Sequence, residues 1–150
     1  MLHWVFKSFR DLSVTELYAI MRLRQEVFVV EQNCPYLDAD GKDLKCYHLM
    51  GYVNDQLVAY SRIVPPDVSY PEASIGRVVS STSHRNKAYG IQLMNESIKR
   101  IENLYGPVPI RIGAQQYLQK FYESFGFARI DEPYLEDGIP HIIMLRPFVV

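Results

Sequence analysis

A run of small polar residues, Ser80-Ser81-Thr82-Ser83, leads through Arg85-Asn86-Lys87-Ala88-Tyr89-Gly90 into a stretch where Ile91, Met94, Ile98, Ile101 and Tyr105 fall on one helical face. Backbone N–H groups at such a helix start have no intrahelical partner and converge on one spot. The positive end of the helix dipole adds to them, so the arrangement favours a phosphate or pyrophosphate. Arg85 and Lys87 bring charge to the same place, and Gly90 removes a Cβ where a ligand would press against the backbone. The loop is not a Walker A motif, because no Gly-Lys-Ser/Thr follows, nor a dinucleotide fingerprint, because its three glycines are missing. Solvated cations at a helix start would give the same pattern, so the loop alone fixes a place and no reaction.

Other familiar chemistries fail on spacing. Asp38-Ala39-Asp40-Gly41-Lys42-Asp43 has the look of a calcium loop, but Leu49 stands where the closing carboxylate belongs. His3, His48, His84 and His141 make no zinc spacing, so no metal is expected, and no Gly-x-Ser-x-Gly elbow marks a hydrolase. Cys34 and Cys46 are not spaced as a redox or zinc pair and read as free thiols of a reducing cytoplasm, a disulfide between them being the alternative.

The elements that must carry the loop can be read from periodicity. Residues 4–9 alternate as a first strand; Ser13 with Glu16 has capping-box spacing and opens a helix over residues 14–29. A loop with Pro35 and Gly41 follows, then a hairpin of residues 47–53 and 57–64 about an Asn54-Asp55-Gln56 turn, and a strand over 75–80. The second long helix ends at Gly106-Pro107; residues 110–114 form a buried strand, 116–125 a short helix stopped by Gly126, and 127–130 and 141–146 the last strands around an acidic loop, 131–138. This order predicts an α/β fold with a mixed central sheet, held in a single domain over residues 1–150.

Composition bounds the partners. The chain of 150 residues is 48% hydrophobic and 22% charged, a globular balance with no room for two comfortable domains. Sixteen basic against seventeen acidic residues give a net charge of -1, so no overall basic field attracts nucleic acid. The longest apolar runs, such as Val27 to Val30, are far short of the roughly twenty residues a membrane span needs. Nor does the N-terminal stretch, broken by Lys7, Arg10 and Asp11, look like a signal peptide.

Set beside these readings, the sequence resembles the GCN5-related N-acetyltransferases over nearly its whole length. Arg85 to Gly90 matches that superfamily's acetyl-CoA signature, Gln/Arg-x-x-Gly-x-Gly/Ala, departing from it at Ala88, where the pattern has Gly. Tyr122-Glu123-Ser124-Phe125-Gly126-Phe127 resembles its Tyr-x-x-x-Gly-Phe segment. The segments at 24–32, 75–79, 112–115 and 136–141 are similar to the ElaA-like branch of small bacterial acetyltransferases.

The resemblance implies a sheet splayed at its middle strands and flanked by helices. The pantetheine arm of acetyl-CoA would lie along Val78, Val79 and Ser80, as an extended amide ligand borrows strand N–H and C=O groups. Arg85, Asn86, Lys87, Ala88, Tyr89, Gly90 and Ile91 would hold the pyrophosphate, with Gln115 on the opposite strand. Tyr122 would stand at the sulfur as the acid that protects the leaving thiolate, a phenol near 10 serving a thiol near 8.5. An alanine at 88 keeps the N–H and tightens only the backbone limits.

The implied reaction is direct attack of a primary amine of a small molecule or peptide on the thioester, with no covalent acyl-enzyme and no metal. Acetylation of Cys34 or Cys46 is the ping-pong alternative. Many relatives carry a base at the start of the strand where this chain has Ser74, with Glu72 just before it; Glu31, His48, Asp137 and His141 are the other candidates for base or substrate contact. Residues 31–43 carry four acids and one Lys, net -3, and residues 131–138 carry four acids, net -4, leaving about +6 on the remainder. Acidic loops at the acceptor side suit a cationic amine. Two further readings stay open: a non-catalytic CoA-binding or regulatory module with this fold, and a phosphate-binding domain unrelated to CoA. The apolar tail 147–150 could finish the last strand or pack on a second copy in a homodimer.

Overall fold

In a computed structural model describing residues 1–85 and 87–148, the chain runs β1 (His3–Ser8), α1 (Val14–Arg24), β2 (Tyr47–Val53), β3 (Gln56–Val64), β4 (Ser74–Ser80), α2 (Tyr89–Tyr105), β5 (Ile110–Gln115), α3 (Gln119–Glu123), β6 (Ala128–Arg129), β7 (Tyr134–Glu136) and β8 (Ile139–Arg146). Asn86, Val149 and Val150 lie outside the described residues, and with them part of the phosphate loop and the end of the apolar tail.

The capping box forms as its spacing predicts. Glu16 N–H donates to Ser13 Oγ at 3.0 Å and Ser13 N–H donates to Glu16 Oε1 at 2.8 Å. The helix runs past the expected end, but as a π-helix over Gln25–Glu31, which widens the turn and delivers Val27, Phe28 and Gln32 to the central cleft. Sequence periodicity cannot distinguish this from α, because the apolar residues still recur on one side.

Strands β1 to β4 make one antiparallel sheet in sequential order, and β5, β8 and β6 make another, with β7 on the free part of β8. Among the described residues the two sheets are hydrogen-bonded through one parallel bridge, Ala73 with Ile110, where Arg111 N–H donates to the Ala73 carbonyl at 3.0 Å. Beyond it β4 and β5 part, so the fold is α/β and splayed at its middle strands, the parallel share of the sheet being that one bridge. The acidic loop carries more structure than its composition suggests: Tyr134–Glu136 pairs with β8 across a turn in which Asp137 takes φ 50 and Gly138 φ 77.

Helices cover both faces. Ile20, Leu23 and Val27 pack with Met50, Tyr60 and Val79, while Met94, Ile98 and Ile101 of α2 pack with Ile63, Ile75, Ile110, Ile112 and Ile142 on the other face. Each fully buried aliphatic side chain of this kind stabilises the fold by roughly 1.5–3 kcal/mol. The rigidity holds the two halves of the sheet apart at their open end.

Candidate active site

The cleft starts with a β-bulge. Arg77 and Val78 together oppose Ser61, since Tyr60 pairs with Val79 and Arg62 with Gly76. Arg77 sits at φ 51, a left-handed conformation that costs a side-chain-bearing residue about 1–2 kcal/mol. Its guanidinium is held in compensation: Nε lies 2.8 Å from Asp38 Oδ1, and Nη2 donates to the Asp38 carbonyl at 3.1 Å. The bulge breaks the β3 ladder and turns the Val78–Ser80 edge, which has no ladder to β5 among the described residues, towards the open space.

That space is a cavity of about 440 Å³ bounded by β4, β5, the π-turn, the start of β8 and α3. Val78, Val79, Ser80, Gln115, Tyr122, Asp137 and His141 all line it. At Ser80 and Arg85 it meets a second cavity of about 250 Å³, lined also by His84, Ala88, Tyr89, Gly90, Ile91 and Phe121. The residues expected at the pantetheine and pyrophosphate sites thus line two neighbouring cavities that share Ser80 and Arg85. Lys87 stands exposed beside them.

At the start of α2 the helical bond from Gln92 N–H to the Ala88 carbonyl is 3.2 Å, and among the described residues no side chain caps the helix. The amides of Tyr89, Gly90 and Ile91 therefore precede the helical ladder. Ala88 takes φ 58 and ψ 23, which explains why the resembled signature has glycine there: the turn into α2 needs the left-handed region. Gly90 is not demanded by the protein itself, since a Cβ would lie 3.6 Å from the Phe121 ring, an ordinary contact.

Tyr122 is 7% exposed, packed edge-on against Phe121 and Phe127, and still borders the inner cavity. Burial, with Tyr117 nearby, pushes its phenol up to about 12. It is therefore protonated at any working pH and available as a donor, and its gap from a thiol near 8.5 is wider than that of an ordinary phenol near 10.

The acidic and histidine candidates separate sharply. His48 is fully buried: its Nε2–H donates to the Asp43 carbonyl at 3.0 Å and its Nδ1 accepts from Tyr60 at 2.6 Å, while burial lowers its affinity for a proton. It is a core residue away from the cleft, against expectation. Glu31 makes a two-pronged pair with Arg85, at 2.6 and 2.7 Å, so it faces the phosphate loop rather than an acceptor. The Arg85 bond also holds the Glu31 carboxyl below the usual range.

The first acidic loop is no negative surface. Arg24 pairs with Asp38 and Asp43 at 2.8 Å each, Arg62 with Asp40 at 2.8 Å and Asp43 at 3.0 Å, and Arg77 with Asp38 and Asp40. Three carboxylates meet three guanidiniums, so the expected attraction for a cationic acceptor is absent from this loop; the basic partners lie elsewhere in sequence, where counting charge by segment cannot see them. Glu72, the acid before Ser74, is bound twice by Arg111, at 2.8 and 3.1 Å, and Ser74 is buried. Neither is placed as a base.

On the acceptor side of β5 and β8 the described groups are Gln32, Cys34, Tyr36, Glu136, Asp137, Ile139 and His141. A Cβ on Gly113 would come 3.1 Å from the Tyr134 hydroxyl and 3.2 Å from that of Tyr70, so glycine lets two phenols converge over the strand. Cys34 is a free thiol facing the Asp137 carbonyl at 3.7 Å, and Cys46 is free and buried, its thiol pushed up to about 11 by burial. Tyr70 and Tyr134 had no sequence signal, and Gln32 and Arg77 stood only within the resembled segments with no role: positive φ at an arginine and convergence of distant tyrosines are products of tertiary structure.

The sheet parted between strands beside a helix start places the chain in a class of folds whose solved members include acyl-CoA N-acyltransferases. One from Pseudomonas aeruginosa is 45% identical with a TM-score of 0.93, covering 97% of this chain and 99% of its own. Escherichia coli ElaA is 46% identical over 99% of both sequences, and its crystal structure superposes with a TM-score of 0.91, covering 97% of this chain and 99% of that one. A more distant fold neighbour, 15% identical with a TM-score of 0.66 over 98% of both chains, is a GNAT family acetyltransferase from Elizabethkingia anophelis with acetyl-CoA bound. The acetyltransferase (GNAT) domain matches residues 29–146, and the chain belongs to that family of acyltransferases.

Proposed function

We propose that the chain, acting as one domain over residues 1–150, transfers the acetyl group of acetyl-CoA to a primary amine by direct attack. The observation that carries this reading is a pair of adjoining cavities: the Val78–Ser80 edge, with no ladder to β5 among the described residues, borders one with Tyr122 on its wall, and Ser80 and Arg85 join it to a second lined by Ala88–Ile91 at the start of α2. A linear ligand with amides along its length, a diphosphate at one end and a reactive sulfur at the other matches that sequence of partners.

Val78, Val79 and Ser80 would bind the pantetheine amides through main-chain groups. The amides of 88–91, with Arg85, would hold the diphosphate, and Asn86 and Lys87 would contribute from the same loop. Gln115, whose Nε2 reaches Gln32 Oε1 at 3.4 Å, stands across the cleft on β5. The neutral amine nitrogen forms a bond to the thioester carbon, the C–S bond breaks, and the electron pair stays on sulfur. Tyr122 donates a hydrogen bond to sulfur as that charge develops. Because the phenol is a weaker acid than the thiol, the proton that finally rests on sulfur is balanced by one released from nitrogen, which restores Tyr122. Of the ammonium's three protons, one leaves to solvent before the neutral amine attacks; of the two the amine then carries, one remains on the amide and one ends on sulfur. Glu136 and Asp137, acids of the cleft outside the arginine cluster, support a cationic acceptor.

The test is thiol release from acetyl-CoA across a panel of polyamines, aminoglycosides, peptide N-termini and lysine peptides. Amine-dependent release that falls about 10²-fold or more in Tyr122→Phe, with acetyl-CoA affinity kept within a few fold, is the expected result. Acetyl-CoA binding with no release from any amine would favour a non-catalytic CoA-binding module instead.

A further inference from the structure

The acetyl-transfer reading leaves one chemical demand unmet, and this inference rests on that reading. An alkylamine near pKa 10.4 arrives as an ammonium and must lose a proton before it attacks. Of the acids nominated from sequence, Glu31 is bound by Arg85 and Glu72 by Arg111, while Asp137 is an exposed turn residue at the cavity rim; Asp38, Asp40 and Asp43 are held by the arginine cluster. His48 is sealed in the core.

His141 differs from all of these. It lies at the start of β8, opposite Gln115 of β5 and Tyr134 of β7, 8% exposed and yet on the wall of the inner cavity. Its Nδ1 is 2.7 Å from the Ile139 carbonyl, which can only accept, so the proton of the neutral ring sits on Nδ1. Nε2 is left with its lone pair. The charged group beside it is Glu136, whose Oε2 is 3.5 Å away and whose side chain is 56% exposed at the acceptor side. The Tyr134 ring lies against the imidazole, with centroids 5.9 Å apart. A carbonyl that fixes the tautomer, a second ring nitrogen without a hydrogen bond on a residue that lines the cavity, and a carboxylate 3.5 Å from that nitrogen able to stabilise the imidazolium are the parts of an oriented base.

We propose that His141 Nε2 is the base that takes the proton from the acceptor ammonium, with Glu136 as the positioning residue that stabilises the imidazolium. The N–H bond of the ammonium breaks, its electron pair remains on nitrogen, and the proton passes to Nε2 and then to solvent. Asp137, whose carbonyl is engaged by Cys34, extends the same negative edge for a cationic amine without touching the ring.

Two measurements test this, and they fail separately from the acetyl-transfer reading. Long-range ¹H–¹⁵N correlation on the protein without substrate should report the His141 ring protonated at Nδ1 in its neutral form. Protonation at Nε2 would overturn the assignment whether or not the protein turns over any amine. With an amine that the wild type acetylates, His141→Ala should lose about 10²-fold or more in kcat while acetyl-CoA affinity is unchanged, and added imidazole should restore part of the rate. Glu136→Gln should lower kcat about 5- to 10-fold with the His141 tautomer retained. Full activity in His141→Ala, or a loss that imidazole does not relieve, would overturn the base; a wild type that binds acetyl-CoA and acetylates nothing would refute the transfer reading, while the ring resonances still judge the geometry.

Discussion

Removing the carboxylate of Glu31 should tighten the binding of coenzyme A. Arg85, first residue of the proposed phosphate loop and a lining residue of both cavities, spends both guanidinium prongs on Glu31 at 2.6 and 2.7 Å. A diphosphate seated on the α2 amides competes with that carboxylate for the same N–H groups. The side chains of Arg85 and Glu31 are 40% and 39% exposed, so solvent screens the pair and its strength is that of a surface bridge, about 0.2–1 kcal/mol, the bidentate geometry placing it toward the upper end. Glu31→Gln should therefore lower the Kd for CoA about 2- to 5-fold by titration calorimetry, with the gain shrinking as salt is raised. Loss of a nearby negative charge would by itself favour a diphosphate, and the double-mutant cycle with Arg85→Gln separates the two effects. An equal gain in both backgrounds, or weaker binding in Glu31→Gln, would refute the competition and make Glu31 a support that aims Arg85 at the ligand.

Two other outcomes follow from local geometry. Ala88→Gly should stabilise the fold by ~1 kcal/mol in denaturant unfolding, because Ala88 holds φ 58 without a glycine's freedom; a destabilised variant would contradict that conformation. The arginine cluster predicts acid sensitivity. Burial pushes the Asp40 carboxyl up, but the bonds and charges of Arg62, the Lys42 N–H and Arg77 outweigh it and hold the group at about 2, below its ordinary 3.8. A carboxyl depressed in the folded state contributes stability above its unfolded pKa and loses it as pH falls, here between about pH 4 and pH 2. Thermal unfolding should show that fall in the wild type and a shallower one in Asp40→Asn; parallel slopes would count against the cluster.

Much of the scaffold was legible because it rests on local rules. Ser13 and Glu16 announced a helix start through reciprocal caps, and Gly106 at φ 79 ended α2 where its sequence position suggested. The proposed pantetheine and phosphate contacts were nominated from one stretch of sequence, and the structure sets Val78–Ser80 on one cavity and Ala88–Ile91 on the adjoining one. What sequence hid was pairing at a distance. Asp38, Asp40 and Asp43 read as an acidic loop until Arg24, Arg62 and Arg77 closed on them from three other elements. His48 and His141 look alike in sequence, yet one faces Tyr60 in the core and the other the cleft, a distinction set by which side of its strand each occupies. The π-turn at Gln25–Glu31 and the strand Tyr134–Glu136 also escaped, the first because it preserves helical periodicity and the second because three residues carry too little pattern.

The central claim is a place for a thioester carrier, and a crystal structure with coenzyme A tests it most directly. The account predicts pantetheine amides bonded to the main chain of Val78–Ser80, the diphosphate on the amides leading into α2, and the sulfur within hydrogen-bonding reach of the Tyr122 hydroxyl. A carrier bound elsewhere, or one whose sulfur points away from Tyr122 with the α2 amides untouched, would contradict it.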